Sequence, residues 1–245
     1  MNLFSAGLSL VGRRANNEDA LCDAPALGLF AVADGLGGYE GGEVAAQLTV
    51  SRLREVVEAS QVAPRSAWPP EELEYLSSEE SLLAAATAAA HRAILAWQRG
   101  PLHQMGSTVV AALAAGARLT VAHVGDSRCY RLRAGVLELL TRDHSLFTEL
   151  VQAGFTGDRK TCPFKHQVTR ALGFPTSAQP DVATFYLAPG DAYLLCSDGL
   201  YDALDDARLA DGLRLPPVEA CRDLALAAFA AGSRDNITGV VFRCD

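Results

Sequence analysis

Residues 29–38, Leu-Phe-Ala-Val-Ala-Asp-Gly-Leu-Gly-Gly, run five apolar side chains into a carboxylate and then a glycine. An apolar run this short predicts a strand covered on one or both faces. Asp34 at its end would be held rigidly at a sheet edge, while Gly35 lets the chain turn and bring its carbonyl close. Three more aspartates sit where an apolar run meets a glycine or asparagine, Asp126 (VAHVGDSR, 121–128), Asp198 (YLLCSDGL, 193–200) and Asp235 (SRDNITGVV, 233–241). One Asp-Gly is ordinary turn chemistry. Four such carboxylates in one chain predict a metal site, and their oxygen ligands suit hard divalent ions such as Mg²⁺ or Mn²⁺.

Outward from these stretches, the pattern predicts strands at 3–10, 27–33, 108–114, 118–123, 128–133, 136–140, 192–196 and 239–243, with a hairpin turn at 133–136. Helical spacing of apolar residues predicts helices at 43–58, 79–98 and 218–231, with Trp97 in the core. Pro64, Pro69 and Pro70 predict a surface loop over 61–78 whose acidic end is a solvated face. Short strands with helices between them, and no steady β-α-β alternation, predict an α+β fold with an antiparallel core and helices outside.

The chain has 245 residues, 49% of them hydrophobic and 20% charged, which is enough apolar material for one substantial core. A single domain over 1–245 is expected. The balance of 21 basic against 29 acidic side chains, net −8, with no basic tract, argues against a nucleic-acid surface. Six scattered cysteines without a C-x-x-C pair predict buried free thiols in a reducing compartment. MNLFSAGLSL lacks a basic leader and a sustained apolar core, and Gly116 and Arg118 break the apolar run 107–124, so a cytoplasmic monomer without a membrane segment is expected.

GRRANNED (12–19) places Arg14 ahead of the acid pair Glu18 and Asp19. With the Asp34 stretch, GSTVVAAL, VGDSRCYRL, LTRDHS, TRALG, CSDGLYD and DNITGVV in that order, the chain resembles the metal-dependent protein phosphatases, the type 2C or PPM family, from about residue 7 to 243. The resemblance implies a four-layer α-β-β-α sandwich, two antiparallel sheets flanked by helices, with the metal centre at one end. It implies a serine/threonine phosphoprotein phosphatase that hydrolyses phosphomonoesters directly through a hydroxide bridging two Mn²⁺ or Mg²⁺ ions. Asp34 and the Gly35 carbonyl would hold the ions with Asp198 and Asp235; Asp126, with Asp198, would hold a third, weaker ion or simply cap its turn. Glu18 and Asp19 would hold metal-bound waters. Arg14, selected over Arg13 by the Arg-x-x-x-Glu-Asp spacing, would clamp the phosphate through its planar fork.

One departure concerns the general acid: Leu36 stands where many eukaryotic members carry a histidine, and His144 is expected to be structural. Residues 145–167 correspond to the family's flap. Its Arg159, Lys160 and Lys165 fit either an acidic phosphopeptide or ordinary loop charge. The expected partners are phospho-Ser/Thr proteins and a cognate Ser/Thr kinase. Two other readings stand beside this one, a binding domain without activity and a phosphatase for small esters. The intact ligand set argues against the first.

Overall fold

A computed structural model describes residues 2–37, 41–62, 78–174 and 178–245, and the Lys160 side chain and most of the predicted loop 61–78 lie outside what it describes. In chain order the described elements are β1 (Leu3–Leu10), β2 (Asp19–Ala24), β3 (Leu29–Leu36), α1 (Gly41–Val62), α2 (Ser78–Trp97), β4 (Gly106–Ser107), β5 (Val109–Ala115), β6 (Arg118–Val124), β7 (Arg128–Arg133), β8 (Val136–Leu139), α3 (Leu146–Gln152), β9 (Asp181–Tyr186), β10 (Ala192–Cys196), α4 (Asp198–Tyr201), α5 (Asp206–Gly212), α6 (Pro217–Ala230) and β11 (Ile237–Cys244). They build two sheets, ordered β1-β11-β10-β7-β8 and β2-β3-β5-β6-β9, with β4 added to β3. Every pairing is antiparallel.

The period-two alternation of β3 separates the layers. Leu29, Ala31 and Ala33 pack under Ala45, Ala46 and Leu53 of α1 and Leu83 and Ala86 of α2. Phe30 and Val32 point the other way, into a core shared with Tyr193, Leu195, Val240 and Phe242 of the second sheet. Phe242 stacks between the sheets at 4.2 Å from Phe30 and 4.7 Å from Tyr193. On the far side, Leu194, Cys196 and Val241 meet Leu224 and Ala228 of α6. The result is helix, sheet, sheet, helix, the four-layer α+β sandwich.

The structure corrects several sequence-based expectations. β3 does not stop at Ala33 but runs through Asp34 to Leu36, where β4 pairs with it. β2 and β9 carry acids at their starts and read as loop in isolation; their register comes from pairing with β3 and β6. Trp97 is 54% exposed, because the buried stripe of α2 ends one turn earlier at Ile94. The 133–136 hairpin forms as expected, with Ala134 (φ 49°) and Gly135 (φ 81°) both left-handed, as a tight turn joining twisted strands requires.

A candidate metal centre

Asp34 continues the face of β3 that carries Phe30 and Val32, so its carboxylate lies at the end of the space between the sheets. Directly opposite it on β2 is Asp19. Two like charges facing each other on a sheet repel. The second sheet adds Asp198, the first residue of α4 after β10, and Asp235, in the turn that leads into β11. Asp126 comes from the turn between β6 and β7. Asp34, Asp126, Asp198 and Asp235 line one cleft of about 970 Å³ together with Arg14, Glu18 and Gly35.

Close backbone approach holds these groups in place. A side chain at Gly35 would meet the Gly42 carbonyl oxygen at 2.0 Å and the Glu18 carbonyl oxygen at 2.6 Å, and one at Gly199 would meet the Asn236 carbonyl oxygen at 2.0 Å. Only glycine lets these segments pack that tightly. Asn236 straps the N-terminal loop to the Asp235 turn: its Oδ1 accepts from Glu18 N (2.8 Å), and its Nδ2 donates to the carbonyls of Val11 and Asn16 (2.9 Å each). Thr108 does the same for the first sheet. Its Oγ1 accepts from Asp34 N at 3.1 Å and lies 2.8 Å from the Ser127 hydroxyl, tying Asp34 to the Asp126 turn.

The electrostatics describe a site built around missing positive charge. Burial, then Asp19, Asp198, Asp126 and Asp235, push the Asp34 carboxyl well above its ordinary range. Burial raises Asp19 to about 7 despite hydrogen bonds from Thr238 and Ser197, the latter at 2.7 Å. Asp126 rises to about 8 through burial and then Asp198 and Asp143. Burial also raises Glu18, the nearby Arg14 notwithstanding. Asp198 Oδ1 is buried and has no hydrogen-bond partner. A buried carboxylate oxygen without a donor, among acids that raise one another, fits divalent cations bound by oxygen.

Arg14 reaches this cleft, donating from Nη2 to Asp235 Oδ2 at 2.6 Å with 58% of its side chain exposed. Arg13 does not line it; its guanidinium lies over the Phe229 ring at 5.4 Å. His144 is outside the cleft lining too, buried and stacked on His123 at 4.7 Å. His123, His144 and Asp181 form a second group of ligand-type side chains, but the chain already occupies its polar atoms. His123 Nε2 lies 2.8 Å from the Arg142 carbonyl, His144 Nδ1 accepts from Gly125 N, and Arg170 donates to Asp181 at 2.8 Å. Burial lowers the pKa of both histidines, so they hold β6, β9 and the base of the flap together in the neutral form.

The flap's Lys165, singled out above, lines the cleft, and so do His166 and Asp202, which the sequence reading did not single out. Asp202 carried a usable signal, since in DGLYD it stands four residues after Asp198 and a helical turn puts both on one face. The described flap side chains Arg159, Lys165 and His166 turn inward. Arg159 pairs with Asp202, Lys165 Nζ lies 3.2 Å from Asp202 Oδ2, and His166 Nδ1 lies 3.2 Å from Asp198 Oδ2. Arg159 and Lys165 are thus tied to Asp202 in this structure.

Two helix-flanked antiparallel sheets thus pool carboxylates at one end, with an arginine at the rim. The chain belongs to the protein phosphatase 2C family, whose model matches residues 6–219. It is 36% identical over 239 residues to the serine/threonine protein phosphatase PstP of Mycobacterium tuberculosis, matching 93% of this chain and spanning 42% of that protein's length. The serine/threonine phosphatase stp of Listeria innocua is 33% identical over 215 residues, which cover 84% of this chain and 81% of that protein. A solved structure of the PstP catalytic domain, in complex with two manganese ions, superposes with a TM-score of 0.83 at 35% identity, covering 98% of this chain and 97% of that one. Among the described residues, no helix is long and apolar enough to cross a membrane.

Proposed function

We propose that the chain, as one catalytic domain over 1–245, hydrolyses phosphoserine and phosphothreonine in proteins with Mn²⁺ or Mg²⁺. In this reading it is a cytoplasmic monomer opposing a Ser/Thr kinase. One observation carries the reading most: four aspartates from both sheets line a single cleft, with an unpartnered buried oxygen on Asp198. The six free buried cysteines support a reducing compartment.

Asp34 and the Gly35 carbonyl, with Asp198 and Asp235, would hold two cations; Asp126 and Asp198 would hold a third. Bound there, the ions supply positive charge to the phosphoryl oxygens and acidify a water to attack phosphorus. The residues do the rest. Glu18 and Asp19 orient waters from the edge of the ligand set, Asp19 being fixed by the Ser197 hydroxyl. Arg14, kept charged by its hydrogen bond to Asp235, presents a planar fork at the cleft mouth for two phosphate oxygens. Gly35 and Gly199 keep the backbone close enough that these oxygens cannot drift apart.

The test is steady-state hydrolysis of a phosphothreonine peptide and of an aryl phosphate by the purified chain, with Mn²⁺ and with excess chelator. Metal-dependent turnover with a higher kcat/KM on the peptide is expected. Turnover that persists in chelator would overturn the metal assignment, and a preference for the aryl ester would favour small phosphate esters as substrates.

A further inference from the structure

Beside the cleft lies a second hollow, of about 630 Å³. Asn16 lines both, so the two share a wall. From α1 the hollow takes Val44, Gln47 and Leu48, three and four residues apart on one helix face, together with Glu43. Trp97, the last residue of α2 and 54% exposed, completes it. The start of α1 is pressed against the N-terminal loop: a side chain at Gly42 would meet Glu18 Oε2 at 2.6 Å. Glu43 therefore stands close enough to Glu18 for the two acids to repel. Farther along α1, Glu55 pairs with Arg52 and Glu58 with Arg54, whereas among the described residues no ion pair involves Glu43. The arginines that lie over rings choose Phe229, Tyr201 and Phe185, and none covers Trp97. An indole and a carboxylate thus face one hollow, each without a cation from the described chain.

We propose that this hollow is a subsite for a basic side chain, arginine above lysine, carried by a phosphopeptide substrate a few residues from its phosphorylated residue. This rests on the reading of the cleft given above. With the phosphate held at Arg14, a peptide that leaves the cleft over Asn16 enters the hollow directly. There the face of an indole attracts a cation through its ring quadrupole, and a planar guanidinium also stacks on it. The aliphatic stem of the same side chain lies along Val44 and Leu48, half-buried apolar residues, while its charged head meets Glu43. A cation seated there also relieves the repulsion between Glu43 and Glu18. An acidic side chain would meet the same two carboxylates and be turned away, so the hollow selects by sign as well as by size.

The experiment walks a single arginine through the positions flanking the phosphothreonine of an otherwise alanine peptide, and measures kcat and KM with saturating Mn²⁺ for wild type, Trp97→Ala, Glu43→Gln and Glu43→Lys. At one position, or two neighbouring ones, arginine is expected to raise kcat/KM about three- to tenfold through KM alone, lysine less, and glutamate to lower it. Trp97→Ala and Glu43→Gln should each erase most of that gain while leaving the alanine peptide and an aryl phosphate unchanged. Glu43→Lys should reverse the preference, favouring glutamate at the same position. Arginine without effect at every position, a gain that survives both neutral variants, or variants that lose kcat on the alanine peptide and the arginine peptide alike would overturn the subsite. Should Trp97→Ala fail to fold, Glu43→Lys decides by the sign of the preference. A wild type that sediments as a dimer, with Trp97→Ala a monomer, would assign the hollow to a second copy of the chain instead. A wild type that hydrolyses no phosphopeptide would sink the proposed function, and the subsite with it.

Discussion

The strand β10 is bracketed by two aspartates that the fold treats in opposite ways. At one end Asp191, 1% exposed, receives Arg133 through Nε (2.8 Å) and Nη2 (2.6 Å), the Ala188 amide (2.9 Å) and the Tyr193 hydroxyl (2.8 Å). Burial pushes its pKa up, but these donors more than offset it and leave it below the ordinary value. At the other end Asp198 keeps a buried oxygen with no donor and faces Asp34, which burial and neighbouring acids hold far above its ordinary range. Where the chain uses a buried carboxylate for its own stability, it provides the cation. Asp198 has one such neighbour, His166 at its Oδ2, while its buried Oδ1 is left without a donor.

The sharpest break would come at Asp34. Asp34→Asn should abolish Mn²⁺-dependent hydrolysis, a loss beyond the roughly 10–100-fold typical of removing a supporting residue. The variant should nonetheless be at least as stable as wild type in chelator, because a carboxyl that burial and its acidic neighbours disfavour in its ionised form is gone; thermal unfolding with and without chelator reads this. Near-normal turnover, or a metal-free variant that melts lower, would undo the contrast with Asp191.

The same contrast has a pH signature. With Asp19 raised to about 7, Asp126 to about 8 and Asp34 raised further, the folded chain keeps protons that the unfolded chain releases near pH 4. Their contribution to stability is whole below about pH 4 and is lost as pH climbs through the folded values, so the melting temperature in chelator should fall between about pH 5 and 8. Saturating Mn²⁺ should flatten that slope, because it binds the ionised form. Asp191 runs the other way, its contribution fading only as pH drops below about 4.

Asp191→Asn should lower stability by roughly 1–3 kcal/mol in urea unfolding, since Arg133 keeps only a weaker acceptor at a buried position. It should leave the gain from Mn²⁺ intact, and a variant that lost that gain would mean the two ends of β10 are not independent. The smallest effect is expected at the rim. Arg14→Ala should raise KM for a phosphopeptide about tenfold, Arg14→Lys less, and Arg13→Ala hardly at all. Equal effects at both arginines would show that position in the cleft does not select between them.

Most of the centre could be read from the sequence because it depends on local rules. Alternation in residues 29–34 puts Asp34 between the sheets, and Asp34 and Asp198 stand in Asp-Gly pairs, Asp235 in Asp-Asn before an apolar run and Asp126 in Gly-Asp after one. Arg14 needed only its spacing to Glu18 and Asp19. What escaped was set by contacts between distant segments. β2 and β9 are strands because β3 and β6 offer them edges, and α4 is too short for any periodicity to reveal. The inward turn of Arg159 and Lys165 depends on Asp202, 43 and 37 residues further on. Trp97 misled for the opposite reason: a helical stripe extrapolated one turn past the point where the sheet stops covering it.

β1 and β11 pair along their full length, from Leu3 opposite Cys244 to Leu10 opposite Ile237. Arg14 and Asp235, 221 residues apart in sequence, meet at the cleft only because of that pairing. During synthesis β11 emerges long after Asp34 and Arg14 have left the ribosome. A nascent chain therefore displays the acids of β2 and β3 but no closed cleft until β11 slots in between β1 and β10. Long-range antiparallel closure of this kind is slow compared with helix formation. Closure of the cleft is thus timed by the arrival of β11.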